Sequence, residues 1–133
     1  MPSKRGPPVT CEATPHHFAL TDAQMFPYDS NFKMKPPLRT CDAGAVVDGI
    51  VAGAVDAIAT DHAPHPGSEK MQEFEKYRFG IIGLETALGL AMEHLVHTGK
   101  IPLTRLVALL TTGPPRACCI RIAARWRWAL PPM

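Results

Sequence analysis

Asp61, His62 and His65 stand at the carboxyl end of an apolar run, Val55-Asp56-Ala57-Ile58-Ala59-Thr60, in the string Asp61-His62-Ala63-Pro64-His65. In α/β folds the carboxyl ends of parallel strands carry the chemistry. A carboxylate there can bind a hard or borderline cation, and it can take a proton from metal-bound water. His65 follows Pro64, which stiffens the turn, and its imidazole could hold a substrate anion. The spacing also fits a plainer arrangement, in which Asp61 caps the loop and His65 is solvated.

A second cluster is built the same way. Val9-Thr10-Cys11-Glu12-Ala13-Thr14 is a β-prone run stopped by Pro15, with Glu12 inside it and His16-His17 directly after. Carboxylate plus imidazole at a strand end could ligate a metal, although the residue types alone favour a supporting or structural role. Cys11 reads as a small buried apolar residue. Lys35 and Arg39 flank Pro36-Pro37-Leu38 in a stiff loop. They could meet a carboxylate, Arg39 through a fork-like contact, while solvated loop charges are the default. His94 and His97 lie three apart and read as part of a solvated helix face.

The elements that must position these groups are legible in outline. Asp42 is a suitable N-cap for a helix in which Val46, Val47, Ile50 and Val51 repeat at helical spacing, ending at Gly53. Val55–Thr60 reads as a strand buried on both faces, as parallel strands are, and residues 61–78 as a charged loop. Gly83 to His97 carries a helical pattern with Leu84, Leu88, Ala91 and Leu95 inward and Gly99 at the stop. Pro102 opens another helix with Leu103, Leu106, Val107 and Leu110 inward, closed by Gly113-Pro114-Pro115. Strand, helix, strand, helix, helix is α/β grammar. Residues 116–133, with Arg121, Arg125, Trp126, Arg127 and Trp128, do not continue it.

Composition bounds the class. The chain has 133 residues, 46% hydrophobic and 20% charged, normal for one soluble domain but short of the roughly 200 residues that a (β/α)8 barrel needs. The net charge of +2 says little about partners. No Asp or Glu follows Glu93, so the C-terminal end is basic. That tail has residue types suited to nucleic acid but no fold signature, and no nucleic-acid partner is expected. Cys11, Cys41, Cys118 and Cys119 form no zinc-type CxxC pair, which indicates reduced thiols and a cytoplasmic setting. The start lacks the apolar stretch of a signal peptide. No run of about 18 apolar residues occurs, so no membrane partner is expected.

Four strings in order carry a resemblance: Val9-Thr10-Cys11-Glu12-Ala13-Thr14-Pro15-His16-His17-Phe18; Asn31-Phe32-Lys33-Met34 with Pro36-Pro37-Leu38-Arg39; Asp56-Ala57-Ile58-Ala59-Thr60-Asp61-His62-Ala63-Pro64-His65; and Phe79-Gly80-Ile81-Ile82-Gly83-Leu84-Glu85-Thr86-Ala87-Leu88. From about residue 5 to about 116 the chain closely resembles the C-terminal part of the barrel of bacterial-type dihydroorotases, in the amidohydrolase superfamily. The resemblance implies a piece of a metal-dependent TIM barrel over residues 1–115, containing the last two strands and their helices, followed by a non-family basic tail over 116–133. It implies a zinc-dependent cyclic amide hydrolase, binuclear in the family, that interconverts dihydroorotate and N-carbamoyl-aspartate in pyrimidine biosynthesis.

Residue by residue, Asp61 matches a zinc ligand and general base and acid. His65 matches a substrate-binding histidine, and Phe79 and Gly80 match a loop that contacts substrate through its backbone. Glu12 and His17 match groups that bind an additional zinc in animal relatives. Lys35 stands where bacterial members carry a substrate-binding Asn, and a basic residue can still meet a carboxylate. The family's His-x-His strand and its other metal ligands fall upstream of the matched segment. After Arg116 the sequence departs from the family, as a shifted reading frame or gene remnant would make it do. The isolated chain is therefore expected to be inactive, with a complementing barrel fragment or an oligomer completing it. A non-catalytic remnant or partner-binding module, and a related hydantoinase- or allantoinase-type amidase, are the alternatives.

Overall fold

A computed structural model describes residues 9–26, 28–40 and 42–117. The expected basic tail lies outside them from residue 118 on, as does Cys41. Two parallel strands form the sheet, β1 (Glu12–Ala13) and β2 (Ala57–Ile58), in the register Glu12 to Ala57 and Ala13 to Ile58. Hydrogen bonds from Asp56 N to Cys11 O and from Ala59 N to Ala13 O extend the pairing beyond the strands. A single parallel bridge, His62 to Ile81, carries the pairing one chain segment further. The described residues are thus mixed helix and strand, and no closed barrel forms among them.

Between the strands run a short helix α1 (Pro15–Ala19) and the longer α2 (Asp42–Ala52). The first was not evident in the sequence: Pro15 sits in its opening turn, where a missing N–H costs nothing. The second begins and ends as expected, with Asp42 in its first turn and Gly53 at a φ of +79° beyond its end, a conformation glycine adopts without penalty. After β2 come α3 (Gly67–Lys70), within the expected charged loop, then α4 (Ala87–Ala91) and α5 (Leu103–Thr111).

Two helical faces differ from expectation. The buried stripe of α4 and its continuation is Ala87, Ala91 and Leu95, whereas Leu84 and Leu88 are 65% and 57% exposed. The helix begins only at Ala87, so Leu84 falls in the turn before it, and a wider turn at Met92–Val96, where His97 N bonds to Met92 O, continues the helix. On α5 the buried residues are Leu106 and Leu109, with Leu103 and Val107 exposed. Gly113-Pro114-Pro115 does not close the chain's helical run but opens α6 (Gly113–Ala117). Glycine is required there because a methyl group would collide with the Asp56 carbonyl in β2's approach.

The core lies on one side of the sheet. Ala13 and Ile58 meet Phe18, Val47, Ile50, Val55, Ala91, Leu95, Ile101, Leu106 and Leu109. Removing this much apolar surface from water is the main stabilising term. Cys11 is exposed rather than buried, because the outer edge of β1 has no neighbouring strand among the described residues. Within the same residues no helix is long and apolar enough to cross a membrane.

Candidate functional site

The carboxyl ends of β1 and β2 open onto a cavity of about 750 Å³ whose lining includes Cys11, Glu12, Thr14, His17, Lys35 and Asp61. The volume suits a small-molecule ligand. Asp61 leaves β2 with a φ of +45°, a left-handed conformation that aspartate tolerates better than most residues. Both Glu12 and Asp61 are exposed.

His17 is engaged on both sides of its ring. Nδ1 lies 2.6 Å from Thr14 Oγ1, and Nε2 lies 2.9 Å from the Pro36 carbonyl oxygen. A carbonyl can only accept, so Nε2–H donates to Pro36 and Nδ1 accepts from the Thr14 hydroxyl. Neither lone pair is then open to an ion. Among the described residues no three His, Cys, Asp or Glu side chains converge on a point where a metal could sit. Glu12, His17 and Asp61 share a cavity without forming a donor set that fits the zinc implied by the resemblance.

His16, one residue earlier, points the other way. It is 2% exposed, and its Nε2 has no hydrogen-bond partner among the described residues. Its pKa is lowered, first by burial and then by His17, with Asp61 and the Thr60 backbone pulling the other way. It packs beneath Gly83, where an added Cβ would lie 2.7 Å from the His16 Cε1. The neighbouring backbone is tied from above by His62, whose Nδ1 accepts from Gly83 N at 3.1 Å and Leu84 N at 3.2 Å. In that arrangement Nδ1 is the accepting nitrogen of the ring. Neither role was read from the sequence, since nothing in adjacent histidines says which one a helix turn will bury.

The other expected substrate contacts form a second, tighter group. His65 Nε2 meets the Phe79 carbonyl oxygen at 3.1 Å, while its Nδ1 faces Glu69 at 3.7 Å. Gly80 has a φ of +134°, and a Cβ there would lie 2.5 Å from the Ala63 Cβ and 3.3 Å from His65 Nε2. Lys35 Nζ stands 5.2 Å from the centre of the Phe79 ring, and its exposed side chain also lines the cavity. Arg39 lies apart, paired with Asp42 at 3.7 Å. His97 is on a solvated face beside Glu93, and the His94 ring is tilted by 60° against Phe18 with centres 6.2 Å apart.

Lys33 carried no role in the sequence reading, yet it is among the few buried charged residues, 8% exposed. Three aromatics in the charged loop, Phe74, Tyr77 and Phe79, were the available signal, because a loop rich in rings needs something to pack on.

No protein-family model matches the chain. It is similar to bacterial proteins named dihydroorotase: 70% identical over 110 residues to that of Solibacter usitatus, covering 82% of this chain and 26% of that protein. The dihydroorotase of Elusimicrobium minutum is 50% identical over 114 residues, covering 85% and 26%. Among solved structures, the L-hydantoinase (dihydropyrimidinase) from Arthrobacter aurescens is similar with a TM-score of 0.77 and 26% identity, over 85% of this chain and 26% of that one. A D-hydantoinase from Thermus sp. shares the fold, with a TM-score of 0.74 at 24% identity over 82% of this chain and 25% of its own. The chain spans about a quarter of the length of the relatives it matches.

Proposed function

We propose, for a chain homologous to one quarter of a dihydroorotase, that it supplies the Asp61 end of a dihydroorotase-type active site. The reaction would be the opening and closing of the cyclic amide between dihydroorotate and N-carbamoyl-aspartate. The observation that carries this reading is the 70% identity to a protein named dihydroorotase, sustained over 110 residues. The hydantoinase neighbours support the amidohydrolase fold at much lower identity, and each is matched over about a quarter of its chain, as a segment of a TIM barrel would be.

In this reading Asp61 holds and returns the proton that moves to the ring nitrogen, as a carboxylate facing the cavity can. Lys35 and His65 face the substrate carboxylate, and the carbonyl oxygens of Phe79 and Gly80, each accepting one bond from His65 or Lys70, keep a second lone pair for a substrate N–H. Dihydroorotases and hydantoinases depend on a metal. Its donors would come chiefly from residues outside this segment, because Glu12, His17 and Asp61 do not converge.

A second reading is favoured by the surface. The outer edge of β1 has no partner strand among the described residues, and Ile82, Leu84 and Leu88 are exposed close together in sequence. Open strand edges and apolar patches invite association, so the chain could serve as a non-catalytic module that pairs with another barrel segment.

One experiment separates the readings. The purified chain is mixed with the Solibacter dihydroorotase lacking its matching segment, and dihydroorotate hydrolysis is followed. We expect no turnover by either piece alone, turnover by the mixture, and none when the mixture contains Asp61→Ala. An assembled mixture without turnover leaves only the non-catalytic reading. Turnover of hydantoin in preference to dihydroorotate reassigns the substrate class.

A further inference from the structure

We propose that Lys33 and Lys70 are positioning residues that clamp the Phe79–Gly80 loop in place before any substrate arrives. The inference deepens the reading above, in which this loop contacts substrate.

Lys33 holds the loop with both of its ends. Its Nζ donates to the carbonyl oxygens of Phe74 at 2.7 Å, Tyr77 at 3.0 Å and Glu75 at 3.3 Å. Those three acceptors match the full donor capacity of an ammonium group. The same nitrogen lies 4.6 Å from the Phe79 ring centre, 4.7 Å from that of Tyr77 and 5.3 Å from that of Phe74, where the negative ring faces attract a cation. Carbonyl dipoles and ring faces thus stand in for the water the buried charge has lost. At the other end of the residue, the Lys33 carbonyl oxygen accepts from Gly80 N at 2.9 Å. One lysine therefore fixes the turn at 74–77 through its side chain and residue 80 through its main chain, with Phe79 bracketed between.

Lys70, at the end of α3, completes the hold. Its Nζ donates to Gly80 O at 2.6 Å and to Ser30 O at 3.1 Å, tying the loop to the turn just before Lys33. The Gly80 residue is now bonded at its nitrogen and at its oxygen. His65 holds Phe79 O, and Ala63 closes the space a side chain would need. A loop braced from this many directions has its geometry set in advance, which is what precise substrate placement requires. Lys33 and Lys35 are alike in charge and two residues apart, but they divide the work. Lys35 stays exposed on the cavity side of Phe79, whereas Lys33 is committed to the loop itself.

The test is hydrogen–deuterium exchange on the 133-residue chain, reading the peptide covering 74–81 against peptides of α5. Lys33→Met and Lys70→Met should each accelerate exchange in 74–81 by about tenfold, the equilibrium worth of one hydrogen bond from a charged donor, with α5 at its original rate. Lys76→Met, whose exposed side chain pairs only with Glu73, should change nothing. Unchanged exchange in 74–81 for both lysine variants overturns the proposal. So does acceleration spread equally over α5 in both, because that is a fold-wide role. If Lys33→Met alone loosens the whole chain, Lys70→Met decides by the same criterion. No substrate takes part, so the result stands whether or not the site turns over dihydroorotate. In an active mixture with the missing barrel segment, the same variants should raise KM and leave kcat near its original value. An unchanged KM there overturns the positioning role.

Discussion

Two regions linked by Lys35, the strand-end cavity and the Phe79–Gly80 loop, are finished to different degrees. At the Phe79–Gly80 corner the loop's backbone groups are already engaged: Gly80 N by Lys33, Gly80 O by Lys70, Phe79 O by His65. At the strand-end corner Glu12 and Asp61 are exposed, the edge of β1 has no partner strand among the described residues, and His17 spends both ring nitrogens on Thr14 and Pro36. All the groups that brace the first corner come from residues 30–80, within one contiguous stretch of chain. The second corner lacks neighbours that a short segment cannot provide. In the proposed reading the substrate contacts are thus local in sequence, while the metal ligands of a barrel mouth come from many strands.

The largest effect should mark that division. In the active mixture, Asp61→Ala is expected to lower kcat by about a hundredfold to ten-thousandfold, the usual contribution of a positioned acid–base group. Exchange in the 74–81 peptide should stay as it was. If removing Asp61 also loosened that peptide, the two corners would not be independent, and the comparison would fail.

Gly80→Ala attacks the finished corner instead. With a φ of +134° and 2.5 Å between the new methyl group and the Ala63 Cβ, the loop must move. We expect a loss of about 1–3 kcal/mol, the cost of a residue forced into such a conformation, measured by denaturant unfolding. A loss near zero would show that the loop yields freely and is not braced.

How much of this was legible in the sequence follows the same line. Helix α2 was readable at both ends, because Asp42 and Gly53 signal locally what the backbone does. The parallel pairing followed from apolar runs separated by a helix. His65, Phe79, Gly80 and Lys35 were grouped by resemblance, and the structure places them side by side. What escaped was every choice settled by distant packing. His16 and His17 are adjacent and chemically identical, and only the turn of α1 sends one into the core and the other into the cavity. Lys33 and Lys35 differ only in which of them the rings of residues 74–79 enclose. Ala91 and Leu95 are inward as their spacing suggests, but Leu84 falls in the turn before α4 and Ala87, not Leu88, is the buried residue one turn earlier.

His16 gives a pH test beneath the join between the two corners. Its folded pKa is lowered, first by burial, so the folded chain prefers the neutral ring. The unfolded chain takes up a proton once the pH drops below about 6.5. Its contribution is therefore complete above that value and is lost as the pH falls from there toward the lowered folded pKa. Melting temperatures at pH 8 and pH 5.5 should differ more in the unsubstituted chain than in His16→Gln. An equal difference in both would assign the acid sensitivity to other groups.

The smallest structural effect belongs to Lys35→Asn, which restores the residue type expected at this position from the dihydroorotase pattern. Lys35 is exposed, and its Nζ lies over the face of Phe79 at 5.2 Å, an attraction that water weakens. Stability should move by less than about 0.5 kcal/mol, as surface substitutions do. Substrate binding is another matter, because Lys35 is the free cation of the pair while Lys33 is spent on the loop. If Lys35 meets the substrate carboxylate, the Asn variant exchanges a charge for a neutral hydrogen bond. KM in the active mixture should then depend less on salt, since screening acts on exposed charges. A salt dependence that survives the substitution unchanged would remove Lys35 from the substrate side of Phe79 and leave that face to His65 alone.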